Sequence, residues 1–108
     1  MRGHRGRPQH LASWAANADI TPLPDGVSLA VRQFLGRAPG LNPASRAALG
    51  TQLLEQVMPH VAPPPPPGQH PEALLAAVVA ERRRRDELRL ARDAALRERL
   101  RRGGTSGR

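Results

Sequence analysis

Five consecutive prolines, Pro63 to Pro67, divide this chain into two parts. Proline lacks an amide hydrogen and holds φ near one value, so neither an α-helix nor a central β-strand can run through such a stretch. The segment from 62 to 70 is expected as a stiff polyproline linker, rising about 3.1 Å per residue. Any core must be assembled by folding the residues after the linker back onto those before it.

Periodicity on both sides is helical. Residues 9–18 allow one or two turns, with Leu11, Trp14, Ala15 and Ala18 on one face. "DITPLPDG" then reads as a loop. A helix is expected over about 25–36, with Asp25 as N-cap and Val27, Val31, Phe34 and Leu35 forming its apolar stripe. A second spans about 42–58. Asn42 caps it, Pro43 takes the first helical position, Leu49, Leu53, Leu54, Val57 and Met58 form its apolar face, and Pro59 ends or kinks it near Met58. A third starts at Pro71 behind His70, is apolar through Leu74, Leu75, Val78 and Val79 to about 81, and continues as a charged rod to about 102. The expected fold class is all-α. Three helices bundle within a module spanning residues 9–81, an arginine-rich extension occupies 82–102, and 1–8 and 103–108 are disordered. So few core residues predict marginal stability.

The charge is placed at the ends. Residues 1–8 hold three arginines and no acid, the middle is nearly neutral, and residues 81–108 hold eleven arginines against five acids. Lysine is absent while Ala, Gly and Pro are abundant, as in proteins translated from high-GC DNA. Part of the basicity therefore reflects codon usage, although its electrostatic field is real.

Few chemistries fit this composition. Without cysteine there is no disulfide and no thiolate metal site. His4, His10, His60 and His70 are scattered without metal-ligand spacing, and there is no phosphate-binding glycine loop and no nucleophile paired with a base. No catalytic, cofactor-binding or metal-binding residue is assigned. No apolar run reaches about 18 residues, so no membrane span is expected, and the basic N-terminus lacks the apolar stretch of a secretory signal. A soluble, cytoplasmic protein is expected.

The candidate interaction surface is Trp14 with Arg82, Arg83, Arg84 and Arg85. On a helix the four arginines point around nearly the whole circumference. Acids lie one turn away from arginines in the series Glu81–Arg85, Arg82–Asp86, Arg83–Glu87, Arg89–Asp93, Asp93–Arg97 and Glu98–Arg102. Such i, i+4 pairs each support a helix by roughly 0.2–0.5 kcal/mol, so the run reads first as a solvated, self-paired helix. Nucleic acid is the alternative partner. Phosphate contact is available, but Trp14 and Phe34 are the only aromatics on which bases could stack. Contact with an anionic membrane surface is a third option. Salt separates these partners from a docked apolar face, because phosphate binding weakens steeply as salt is added.

Several stretches in order resemble the C-terminal cytoplasmic tail of high-GC bacterial RDD-family membrane proteins. They are "LASWA" from Leu11, "LPD" from Leu23, "VRQFLGRA" from Val31, "RAALG" from Arg46, "PPPPPG" from Pro63 and "AAVVAERRRR" from Ala76. The resemblance covers roughly residues 10–85. The Arg and Asp residues that name the family lie in membrane-spanning helices absent from this chain, so none is carried over. The resemblance implies a non-enzymatic protein-interaction or regulatory segment, free-standing or a truncated fragment, whose partner is a protein or a parent membrane domain. It predicts that the DNA upstream of the Met1 codon, in phase or shifted by one indel, encodes apolar segments of about 20 residues. Sequencing that DNA checks this, and stop codons with no such segment in any frame refute it.

Overall fold

A computed structural model describes residues 8–106, with side chains from 11 to 103. The fold is all-α. Its helices are α1 (Pro8–Asn17), α2 (Asp25–Arg37), α3 (Pro43–Val57) and α4 (Pro71–Ser106), with a two-residue antiparallel pair, β1 (Asp19–Ile20) and β2 (Val61–Ala62), between them. The three expected helices are present as α2, α3 and α4, and the turns allowed over 9–18 make a fourth. The added one, α1, is ten residues long and carries Leu11 and Ala15, which are buried together with Ala18 just beyond its end at spacings of four and three. The expected disorder at 1–7 and 107–108 lies outside the described residues. Gly103 and Gly104 do not end α4, which runs to Ser106. A glycine stops a helix by turning left-handed, and Gly68 is the positive-φ glycine among the described residues.

The helix starts obey local chemistry. Asn42 Oδ1 accepts from the Ser45 amide at 2.9 Å ahead of Pro43, so α3 begins as expected. At α2 the cap lies one residue earlier. Pro24 is the N-cap and Asp25 is the first helical residue, with no side-chain cap bond. The Asp25 carboxylate still sits at the positive end of the helix dipole. His70 Nδ1 accepts from the Glu72 amide at 3.2 Å and opens α4, a role that requires this nitrogen to be unprotonated. α3 ends at Val57, with Met58 as its C-cap, just ahead of Pro59 as expected. Pro59 sits within a 3-10 turn, Met58–His60, that leads into β2.

The small ladder pairs Asp19 with Ala62 and Ile20 with Val61. The Thr21 amide extends it by donating to His60 O at 2.8 Å, and Trp14 Nε1 donates to Pro63 O at 3.1 Å. The loop after α1 is thereby stapled to the chain entering the proline run. Two-residue strands are too short to show period-2 alternation, so nothing in the sequence announces them.

Val31 and Phe34 from α2, Leu53 and Val57 from α3, and Leu75 and Val78 from α4 share one core cluster, joined by Ala18, Leu23 and Val61. The molecule measures 66 × 33 × 25 Å, with a radius of gyration of 18.1 Å. A compact chain of about 100 residues would have a radius near 13 Å. The excess is the distal part of α4, which leaves the bundle.

Gly50 on α3 faces the Phe34 ring, and a Cβ placed there would lie 3.5 Å from Phe34 Cζ, an ordinary van der Waals contact. Thermal and denaturant melts of the full chain should therefore move in opposite directions for two substitutions. Phe34→Ala should cost about 3–5 kcal/mol, enough to unfold most of the module. Gly50→Ala should add about 0.5–1 kcal/mol by lowering the backbone entropy of the unfolded chain.

Candidate interaction site at the arginine run

The arginine run is organised by an acid that precedes it. Glu81 comes after Leu74 and Val78 on the inward stripe of α4 and is 5% exposed, the buried charged residue among those described. A buried carboxylate requires charged partners and hydrogen bonds. Glu81 has both. Arg84 reaches its two oxygens at 3.0 and 2.7 Å, and Arg85 Nε donates to Oε2 at 2.6 Å. The hydrogen bond from Arg84 is the largest influence holding the Glu81 carboxyl below the usual range. Burial works against it, and the bond from Arg85 adds to the lowering.

Arg85 continues past Glu81. Its Nη2 lies 3.1 Å from Ala15 O, 3.4 Å from Ala16 O and 2.7 Å from Ala18 O. These carbonyls close the C-terminal end of α1, where helical partners run out and the helix dipole is negative. A guanidinium from residue 85 thus caps a helix that ends at residue 17. Arg85 thus joins the buried acid to the end of α1 at the point where α4 leaves the bundle.

The five residues expected to form one surface are therefore distributed. Trp14 is half-buried and bonded to the proline segment. Arg84 and Arg85 hold Glu81. Arg82 Nη1 donates to Ser28 Oγ on α2 at 3.2 Å. Arg83 is exposed and makes no hydrogen bond or ion pair among the described residues.

Of the expected i, i+4 pairs, Glu81–Arg85 at 2.6 Å and Glu98–Arg102 at 3.6 Å are formed. Three-residue spacings supply the others: Glu81–Arg84, Asp86–Arg89 and Glu98–Arg101. In these five pairs the acid precedes the arginine. Arg82–Asp86, Arg83–Glu87 and Arg89–Asp93 have the reverse order, which is weaker in a helix, and they are not formed. Asp93–Arg97 has the favourable order and is also absent, which nothing in the structure explains.

The sequence held a signal for Glu81 that periodicity arguments on apolar residues pass over. It is an acid on the buried stripe, with arginines three and four residues later. The Arg85 cap had none, because its carbonyl partners lie up to 70 residues away.

Other features are less equipped for chemistry. A trough of about 390 Å³ between α1 and α4 is lined by Leu11, Ala12, Ala15 and alanines of α4, with Glu81 and Arg84 among its lining residues. Arg46 on α3 forms a two-point ion pair with Glu72 on α4, at 2.7 and 2.8 Å. Among the described residues no group of His, Asp and Glu could hold a metal ion, and no helix is long and apolar enough to cross a membrane. No family model, no curated protein and no solved structure matches the chain.

The clamp carries a pH signature. The Glu81 carboxyl binds its proton less readily folded than unfolded, so its stabilisation is complete above the ordinary carboxylate value of about 4.3 and is lost as pH falls through the lower folded value. The Arg46 bond lowers Glu72 in the same sense. Melting temperatures of the wild type should fall below about pH 4.3, and Glu81→Gln should flatten part of that dependence. At neutral pH, Arg85→Gln should cost about 1–3 kcal/mol, since it removes bonds to both a carboxylate and the α1 carbonyls.

Proposed function

We propose that this chain is a non-enzymatic helical module that works by contact with a protein partner, using the part of α4 beyond Arg85. The observation that carries the reading is a helix anchored at its base and uncovered beyond it. Leu88, Leu90, Leu96 and Leu100 are 44–65% exposed on a rod that leaves the core at the Glu81–Arg85 clamp. Exposed leucine surface gains about 25 cal/mol per Å² when another surface covers it. A pre-formed helix also binds without the entropic cost of ordering itself.

The resemblance to the cytoplasmic tail of RDD-family membrane proteins supports the same use. On that reading the module lies in the cytoplasm, at the inner membrane face where it is joined to or bound by a membrane domain. Its arginine excess suits that location, because segments flanking membrane spans on the cytoplasmic side are rich in Arg and Lys. Nucleic-acid binding ranks below it. Arg84 and Arg85 are committed to Glu81, and the rod from 82 to 102 contains no aromatic residue.

A photo-crosslinking residue placed singly at Leu88, Leu90, Leu96 or Leu100 of the full chain, in its native cell, tests this. Protease-sensitive, nuclease-resistant adducts are expected from at least one position. Nuclease-sensitive adducts in their place, or no protein adduct from any position, would reject the reading.

A further inference from the structure

We infer that one face of the α4 rod is a docking site for an acidic amphipathic helix of a protein partner, laid along α4 where α1 leaves off. The inference rests on the contact reading above and adds the face and the chemistry. Leu74, Val78, Glu81, Arg85, Leu88, Arg92, Ala95 and Arg99 recur along α4 at alternating intervals of four and three. That spacing places them in one seam, the pattern by which two helices pack side by side. The first half of the seam is covered. Leu74, Val78 and Glu81 are buried, and α1 ends against Arg85. The α1 segment presents Leu11, Ala15 and Ala18, also spaced by four and three. From Leu88 onward the same seam is exposed.

Charge selects the occupant. At about 100° per residue, an arc of about 140° centred on the seam holds, beyond Arg85, Arg92 and Arg99 near its middle and Arg89 and Arg102 at its two edges, and no carboxylate after Glu81. Asp86, Glu87, Asp93 and Glu98 all fall on the other side, among Arg82, Arg83, Arg97 and Arg101. One side of the rod is balanced and the other is purely basic. Arg89 leans back to Asp86 at 3.1 Å across an exposed pair, while Arg92 and Arg99 make no hydrogen bond or ion pair among the described residues.

A second copy of this rod on the seam would set arginine against arginine. A helix with leucines facing Leu88, Ala95 and Leu96, and glutamates or aspartates facing Arg89, Arg92 and Arg99, satisfies both the apolar and the charged positions. Nucleic-acid phosphates would answer the arginines and leave Leu88 and Leu96 without a partner.

The probe is a synthetic peptide of about three heptads with leucine along one face and glutamate flanking it. Its binding to the full-length protein is tracked by fluorescence anisotropy in about 150 mM salt, where long-range attraction is screened. Saturable binding is expected. Changing Arg89, Arg92 and Arg99 together to Gln should weaken it about tenfold or more, while Arg83, Arg97 and Arg101 to Gln, the same loss of charge on the other side, should change it less than about twofold. Glutamine keeps helix propensity, and circular dichroism verifies that both triple variants remain helical.

Absent binding, equal loss in the two variants, or equal affinity for a scrambled peptide of the same composition overturns the inference. So does tighter binding of phosphatidylglycerol vesicles or duplex DNA with the same dependence on Arg89, Arg92 and Arg99. Crosslinking in the cell separates this outcome from failure of the broader reading, because Leu88 lies on the seam and Leu90 about 160° away. Protein adducts at Leu90 without any at Leu88 or Leu96 would leave protein contact standing and remove this face.

Discussion

The structure depends on burial of the first two turns of α4. The other helices are ten, thirteen and fifteen residues long. Helices of that length are marginal in water when isolated. Leu75 and Val78 join the cluster containing Phe34, Leu53 and Val57, while Leu74 lies on the α4 stripe that ends against α1. The Arg46–Glu72 pair holds the start of that wall to α3, and the β1–β2 ladder closes the chain on its other side. The proline run permits this return by separating α3 from α4 with a segment that cannot become helical itself.

Glu81 stands where the wall ends, and it converts a charged sequence into a directed one. A carboxylate buried beside Val78 is tolerable only because two arginines answer it. One of these, Arg85, also supplies the missing donors at the end of α1. Arg82, Arg84 and Arg85 are thereby structural, and among the described residues unpaired positive charge stands at Arg83 and, further out, at Arg92 and Arg99. A run of four arginines thus contributes less free charge than its composition suggests.

The rod then has two unlike sides. Its acids gather on one and leave the other purely basic, although all the arginines share one helix. Alternating intervals of four and three carry the covered seam of the core into the exposed seam of the rod, so the spacing that seats α1 is repeated beyond it. The functional reading comes from that continuity more than from net charge.

Much of this architecture was legible from local rules. Apolar spacing located α2, α3 and the base of α4, Asn42–Pro43 located a helix start, and the proline run located the linker. These features act within one or two turns, so neighbouring residues suffice to determine them. The β1–β2 pair, the Trp14 bond to Pro63 O, the placement of α1 on α4 and the reach of Arg85 to Ala15 and Ala18 required the tertiary structure. Each joins residues more than 40 positions apart, and a donor that remote leaves no pattern around its acceptor. The sequence by itself determined that helices form and where charge accumulates. Only the folded arrangement decided which charges are spent inside the molecule, because that depends on which carbonyls and carboxylates burial brings within about 3 Å of an arginine.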